Sequence, residues 1–106
     1  MSLNAYEGRA PVTWLSRDAS ESPVDNGWRI MSAIDTGEYL DTPGTWRITD
    51  FNEACAIEPA LIGIYDMPVG SRFTIVRDGG RIRIMDDASG REITPEHFYV
   101  PPQHRA

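Results

Sequence analysis

The chain has no lysine. All ten of its basic residues are arginine, in 106 residues that carry sixteen carboxylates and a net charge of −6. Forked guanidinium groups suit phosphate or carboxylate recognition, but coding bias in a GC-rich genome is the plainer account of such a composition. Cysteine is nearly absent as well. Cys55 stands alone, so no intrachain disulfide can form. Secreted domains of this size usually carry several bridges, which favours a reducing compartment and a cytoplasmic protein. The first ten residues hold no basic stretch followed by an apolar run, so no secretory signal is visible. Long hydrophobic runs are missing. The longest, Ala60-Leu61-Ile62-Gly63-Ile64-Tyr65, falls far short of the roughly 20 residues a membrane helix needs. There is no internal repeat, and no glycine-rich phosphate loop. Gly79-Gly80 sits between two strand-like runs, without the strand-to-helix context or the lysine such a loop requires.

What is present suits one globular domain spanning residues 1–106. The apolar fraction is 41% and the charged fraction 25%, both ordinary for a folded chain. Residues 1–10 and 101–106 are expected to be loosely held termini. Val12 to Ser16 and Trp28 to Ser32 read as strands, separated by a turn-rich stretch from Ser20 to Gly27 in which Asn26-Gly27 signals a reversal. Thr45 to Ile48 reads as a brief extended piece. Asp50 with Glu53 three residues on has the form of a helix-start capping pair. That helix stops near Ile57, because Pro59 cannot lie in its interior, and Pro59 to Gly63 forms a second short turn.

The clearest pattern is a hairpin. Phe73 and Ile75 alternate with Thr74 and Val76, and Ile82 and Ile84 with Arg81, Arg83 and Met85, with Asp78-Gly79-Gly80 between. A turn at Asp78-Gly79 pairs Ile75 with Ile82, and one at Gly79-Gly80 pairs Ile75 with Ile84. Both put Phe73, Ile75, Ile82 and Ile84 on one face, expected to be the core, with Arg81 and Arg83 facing solvent. Trp14, Trp28 and Trp46 each lie in a strand-like piece and, if exposed, could anchor an interface, but Trp14 and Trp28 are expected in the core with the apolar residues that share their faces. Thr94-Pro95-Glu96 starts one closing turn through His97 and Phe98. The sum is an α+β domain, a twisted, mainly antiparallel sheet with short helices at mid-chain.

The chemistry-bearing residues give little. Cys55 with His97 or His104 would make a nucleophile and base, yet Ala54-Cys55-Ala56-Ile57 is an apolar helical stretch where a thiol packs inertly. His97, His104, Asp86, Asp87 and Glu96 lack the spacing of a metal site, so no metal and no cofactor are expected. Arg77, Arg81 and Arg83 resemble a nucleic-acid sheet, but no aromatic residues interleave as stacking platforms, and cross-strand ion pairs are the simpler use. The charge is more informative. Residues 18–41 hold six carboxylates against Arg29 alone, five of the six net negative charges. Such a segment repels nucleic acid and anionic lipid and attracts a basic partner. The bland alternative is a solvated face that aids solubility.

From Asp25-Asn26-Gly27-Trp28-Arg29-Ile30-Met31-Ser32 onward the sequence resembles a small bacterial domain of unknown function grouped among the immunity proteins of polymorphic toxin systems. The class is called immunity protein thirty-three. Glu38-Tyr39-Leu40-Asp41, Glu58-Pro59-Ala60-Leu61 and Met67-Pro68-Val69-Gly70 leading into Phe73 complete the resemblance, over about residues 12–76. Two positions depart from it, Ala33 where members tend to have glycine and Ile75 where they tend to have arginine. The resemblance implies a non-enzymatic protein that binds and blocks a toxin, and it brings no catalytic residues. Asp25, Asp35, Glu38, Tyr39 and Asp41 are the candidate partner-binding residues, with a basic toxin domain as candidate partner. Monomer and homodimer stay equally open. The alternative is a small enzyme or metal-dependent regulator using His97 and nearby carboxylates.

Overall fold

In the computed structural model, which describes residues 1–23 and 25–100, the alternating segments become five strands. They are β1 (Val12–Arg17), β2 (Trp28–Ser32), β3 (Arg72–Asp78), β4 (Arg81–Asp86) and β5 (Arg91–Glu92). All pair antiparallel, in the order β2-β1-β3-β4-β5. Three short helices, α1 (Leu3–Tyr6), α2 (Gly37–Leu40) and α3 (Phe51–Ile57), and 3₁₀ turns at Pro59–Ile64 and Pro95–His97 complete the α+β domain. Asp50 caps α3 as its position implied, its carboxylate accepting from Glu53 N at 2.8 Å.

Ile75 stands opposite Ile84, which selects the Gly79-Gly80 turn. Both glycines have positive φ, 56° and 82°, as a two-residue hairpin turn requires and side-chain-bearing residues resist. Phe73, Ile75 and Ile84 are buried, but Ile82 is 43% exposed. The expectation that Ile82 faces the core is therefore corrected. It shares the sheet face of Ile84 but pairs with Arg77, one step closer to the turn and past the packed layer.

Trp14 is the second correction. Simple alternation from Val12 would put it inside, but the β1–β2 register shifts between Val12 and Trp14. A shift of one residue moves a side chain to the other face, so Leu15 is buried and Trp14 is 38% exposed. Asn26-Gly27 does not make a tight reversal. The loop runs from Asp18 to Gly27, and Gly27 closes it where a Cβ would lie 2.3 Å from the Asp18 carbonyl oxygen.

The core lies on one side of the sheet. Leu15, Trp28, Ile30, Phe73, Ile75 and Ile84 meet Phe51 and Ala54 of α3 and Leu61 and Ile64 of the following turn. Trp28 bridges Phe51 and Phe73, with ring centroids 5.8 and 6.3 Å away. Glu58, buried at the end of α3, pairs with Arg77, whose Nη1 also donates to the Val12 carbonyl at 2.7 Å. One guanidinium thus ties three elements together. Residues 1–10, expected to be loosely held, are instead built in. Ser2 N donates to Ile30 O at 2.8 Å and Arg47 N to Met1 O at 2.8 Å, so the segment covers the outer edge of β2, where unpaired backbone groups would otherwise face water. The expected extended piece at Thr45–Ile48 is reduced to one bridge, between Ser2 and Trp46.

Candidate partner-binding surface

The five acidic-segment candidates divide once folded. Asp35 is buried at 7% exposure. Its carboxylate accepts from Ser2 Oγ at 2.5 Å, Ser32 N at 2.6 Å and Asn4 Nδ2 at 2.8 Å. Burial alone would raise its pKa, but these bonds outweigh it and hold the carboxyl below its ordinary value. Asp35 therefore anchors the N-terminal segment to β2 and presents no charge to a partner, contrary to its assignment as a contact residue. Asp25 is also occupied internally. It accepts two hydrogen bonds from the Arg29 guanidinium, both at 2.9 Å, one from Glu21 N and one from Gly27 N. The Arg29 bonds, then the backbone donors, hold its pKa far below the usual carboxylate range.

Glu38, Tyr39 and Asp41 remain. Thr36 caps α2 through its hydroxyl, which accepts from Tyr39 N at 3.1 Å. This short helix presents Glu38 and Asp41 to solvent, with Tyr39 half-buried. Neither carboxylate forms an ion pair among the described residues. Asp41 lines an open groove of about 790 Å³. Leu40, Trp46 and Ile48 form its wall, Asp18 and Glu21 line it from the β1–β2 loop, and Met31 contributes from β2. Trp46 is held by an indole N–H donated to Leu40 O at 2.8 Å, and Ile48 is 76% exposed. Arg29 is within 4.0 Å of Asp18 and 3.9 Å of Glu21 as well as bound to Asp25. Three carboxylates surround that guanidinium, and Arg47 and Arg72 also line the groove.

Sequence reasoning weighed Trp46 as an interface anchor but missed Ile48 beside it. The available signal was an apolar alternation at Trp46-Arg47-Ile48-Thr49 with no partner strand to cover it. It also missed the sheet's second face. Met31, Trp14, Thr74 and Met85 stand side by side on adjacent strands, on the face away from α3.

The other chemical candidates stay apart. His97 is exposed, with its Nδ1 3.0 Å from Thr94 Oγ1, and lies outside the groove. His104 falls outside the described residues. Cys55 is half-buried against the core, and burial pushes its thiol pKa up, the opposite of an activated nucleophile. No cluster of three metal-ligating side chains occurs among the described residues. The hairpin arginines serve ion pairs as expected, though with distant carboxylates: Arg83 Nε lies 2.7 Å from Glu92 and Arg81 3.5 Å from the same group. No helix among the described residues is long and apolar enough to cross a membrane.

No curated protein and no solved structure matches the chain. A family model does, over residues 1–85, reaching beyond the resembling stretch at both ends and taking in the β3–β4 hairpin as far as Met85. The match runs from the packed N-terminal segment through the groove and into β4, and on it the chain belongs to the family of the Immunity protein Imm33 domain.

Proposed function

We propose that the protein is a non-enzymatic immunity factor that binds a toxin domain bearing basic residues and blocks it, using the α2 segment and the groove beside it. The observation that carries this reading is the groove itself, where exposed Trp46 and Ile48 adjoin Asp41, a carboxylate with no ion pair among the described residues. Exposed acids steer a basic partner and raise the association rate, while buried aromatic and aliphatic anchors supply the slow dissociation. Tyr39 and Trp46 are the aromatic candidates for that anchoring. Partner binding of this kind needs no metal, cofactor, nucleic acid or membrane.

The test is co-expression with the C-terminal toxin domains of polymorphic toxins from the native genome. Restored growth with a stable complex is the expected result, and failure to protect against any of them counts against it. Association rates at low and high salt then check the steering. Glu38→Arg/Asp41→Arg should slow association and flatten its salt dependence. Identical rates and slopes would reduce the acidic segment to a solvated face.

A further inference from the structure

Helix α3 and the turn after it cover one face of the five-stranded sheet and leave the other without a helix packed across it, bordered at the β2 edge by the groove and α2. An antiparallel sheet can face water on one side, and its outward positions are then polar. Here the outward row across β2, β1, β3 and β4 reads Met31, Trp14, Thr74, Met85, each aligned with the next. Val76 adds a further apolar side chain one row along, and Trp14 is 38% exposed. Tryptophan, methionine and arginine are the residues enriched where proteins bind one another. The flanking row supplies the arginine. Ser16 lies between Arg29 and Arg72 across three strands. Arg29 is already saturated by Asp25, whereas Arg72 is exposed and has no ion pair among the described residues.

We propose that this bare face, centred on Trp14 and the two methionines, is a docking surface for the protein partner that also enters the groove, and that the partner meets it with an apolar ridge and a carboxylate for Arg72. The inference rests on the inhibitor reading only for the identity of that partner. Two observations favour this occupant over a second copy of the chain. Four strands at about 4.8 Å spacing and three side-chain rows give a patch of roughly 400 Å², about half of the ~800 Å² per partner that a specific interface needs. The patch is continuous with the groove, since Met31, Ser16, Arg29 and Arg72 line both. One partner seated in the groove can therefore extend over the patch without leaving the surface. The charge then alternates across the footprint: a basic feature opposite Asp41 and an acidic one opposite Arg72.

The site is tested first with anilinonaphthalene sulfonate, an anionic aromatic probe that mimics the ridge and its carboxylate. The native protein should bind it saturably, with energy transfer from tryptophan. Trp14→Ser should weaken binding about tenfold and Arg72→Glu several-fold, at an unchanged Tm. Lack of binding by the native protein, or indifference to Trp14→Ser, overturns the site even if the protein does neutralise a toxin. Conversely, a binding site that survives when no toxin is neutralised sinks the inhibitor reading and leaves the surface standing. Against a neutralised toxin, Trp14→Glu should abolish protection. Full protection by that variant overturns the proposal, as does a homodimer in sedimentation that Trp14→Glu dissolves.

Discussion

The two faces of the sheet were built from the same kinds of residue and put to opposite uses. The covered face holds Trp28, Ile84 and, at the end of β2, Ser32, against which Asp35 is anchored. The other face holds Trp14, while Ile82, on the covered face but past its packed layer, and Glu38, three residues beyond Asp35, are left exposed. Each pair matches a residue with its own kind, so the difference between members is one of environment. Stability resides in the first set, and surface chemistry in the second.

The comparison is most easily broken at the tryptophans. Trp28 is 4% exposed and touches two aromatic rings, so Trp28→Ala should destabilise by about 3–5 kcal/mol, while Trp14→Ala should cost under about 1 kcal/mol. Equal costs in urea unfolding would mean that the bare face is not bare. The isoleucines sharpen the same contrast. Ile84→Ala should cost about 2–5 kcal/mol and Ile82→Ala well under half of that, by the same measurement.

The carboxylates come next. Asp35→Ala strands the donors of Ser2, Asn4 and the Ser32 backbone, and should cost about 2–3 kcal/mol, whereas Glu38→Ala should stay within about 0.5 kcal/mol. A neutral Asp35→Ala would show that the N-terminal segment is not held through this residue. The pH dependence has a definite sign. Because the folded pKa of Asp35 lies below its ordinary value, the folded state binds fewer protons than the unfolded one near that range. Stability from this group is present at neutral pH and lost as pH falls below about 4, through the lowered folded value. Acid unfolding of Asp35→Asn should lack that part of the slope. At Cys55, half-buried against the core, Cys55→Ala should cost about 1 kcal/mol and leave partner binding unchanged. Rapid thiol labelling with loss of binding would contradict it.

Several of these distinctions were legible in the chain before folding. The capping pair Asp50–Glu53 placed α3, Pro59 ended it, and Gly79-Gly80 with its flanking alternation placed the hairpin, because each rests on contacts a few residues apart. The hairpin register was left between two choices that differ only in which glycine pair turns. The candidate surface was legible as charge but not as geometry. Six carboxylates in residues 18–41 look alike in sequence. Folding commits Asp35 to Ser2 and Asn4, more than thirty residues away, and Asp25 to the loop that holds Arg29, so only part of the acidic run faces outward.

By itself, then, the sequence determined the first two strands, α3 with its cap, the β3–β4 hairpin, the α+β class, the family pattern around Gly27-Trp28-Arg29, and the acidic balance of the chain. The tertiary structure alone decided which tryptophan is buried, since one register shift in β1 exchanges Leu15 for Trp14. It decided which acids are surface, since burial depends on partners distant in the chain. It also left one sheet face without a packed helix, because α3 and the turn after it pack on the side where Trp28 and Phe73 lie.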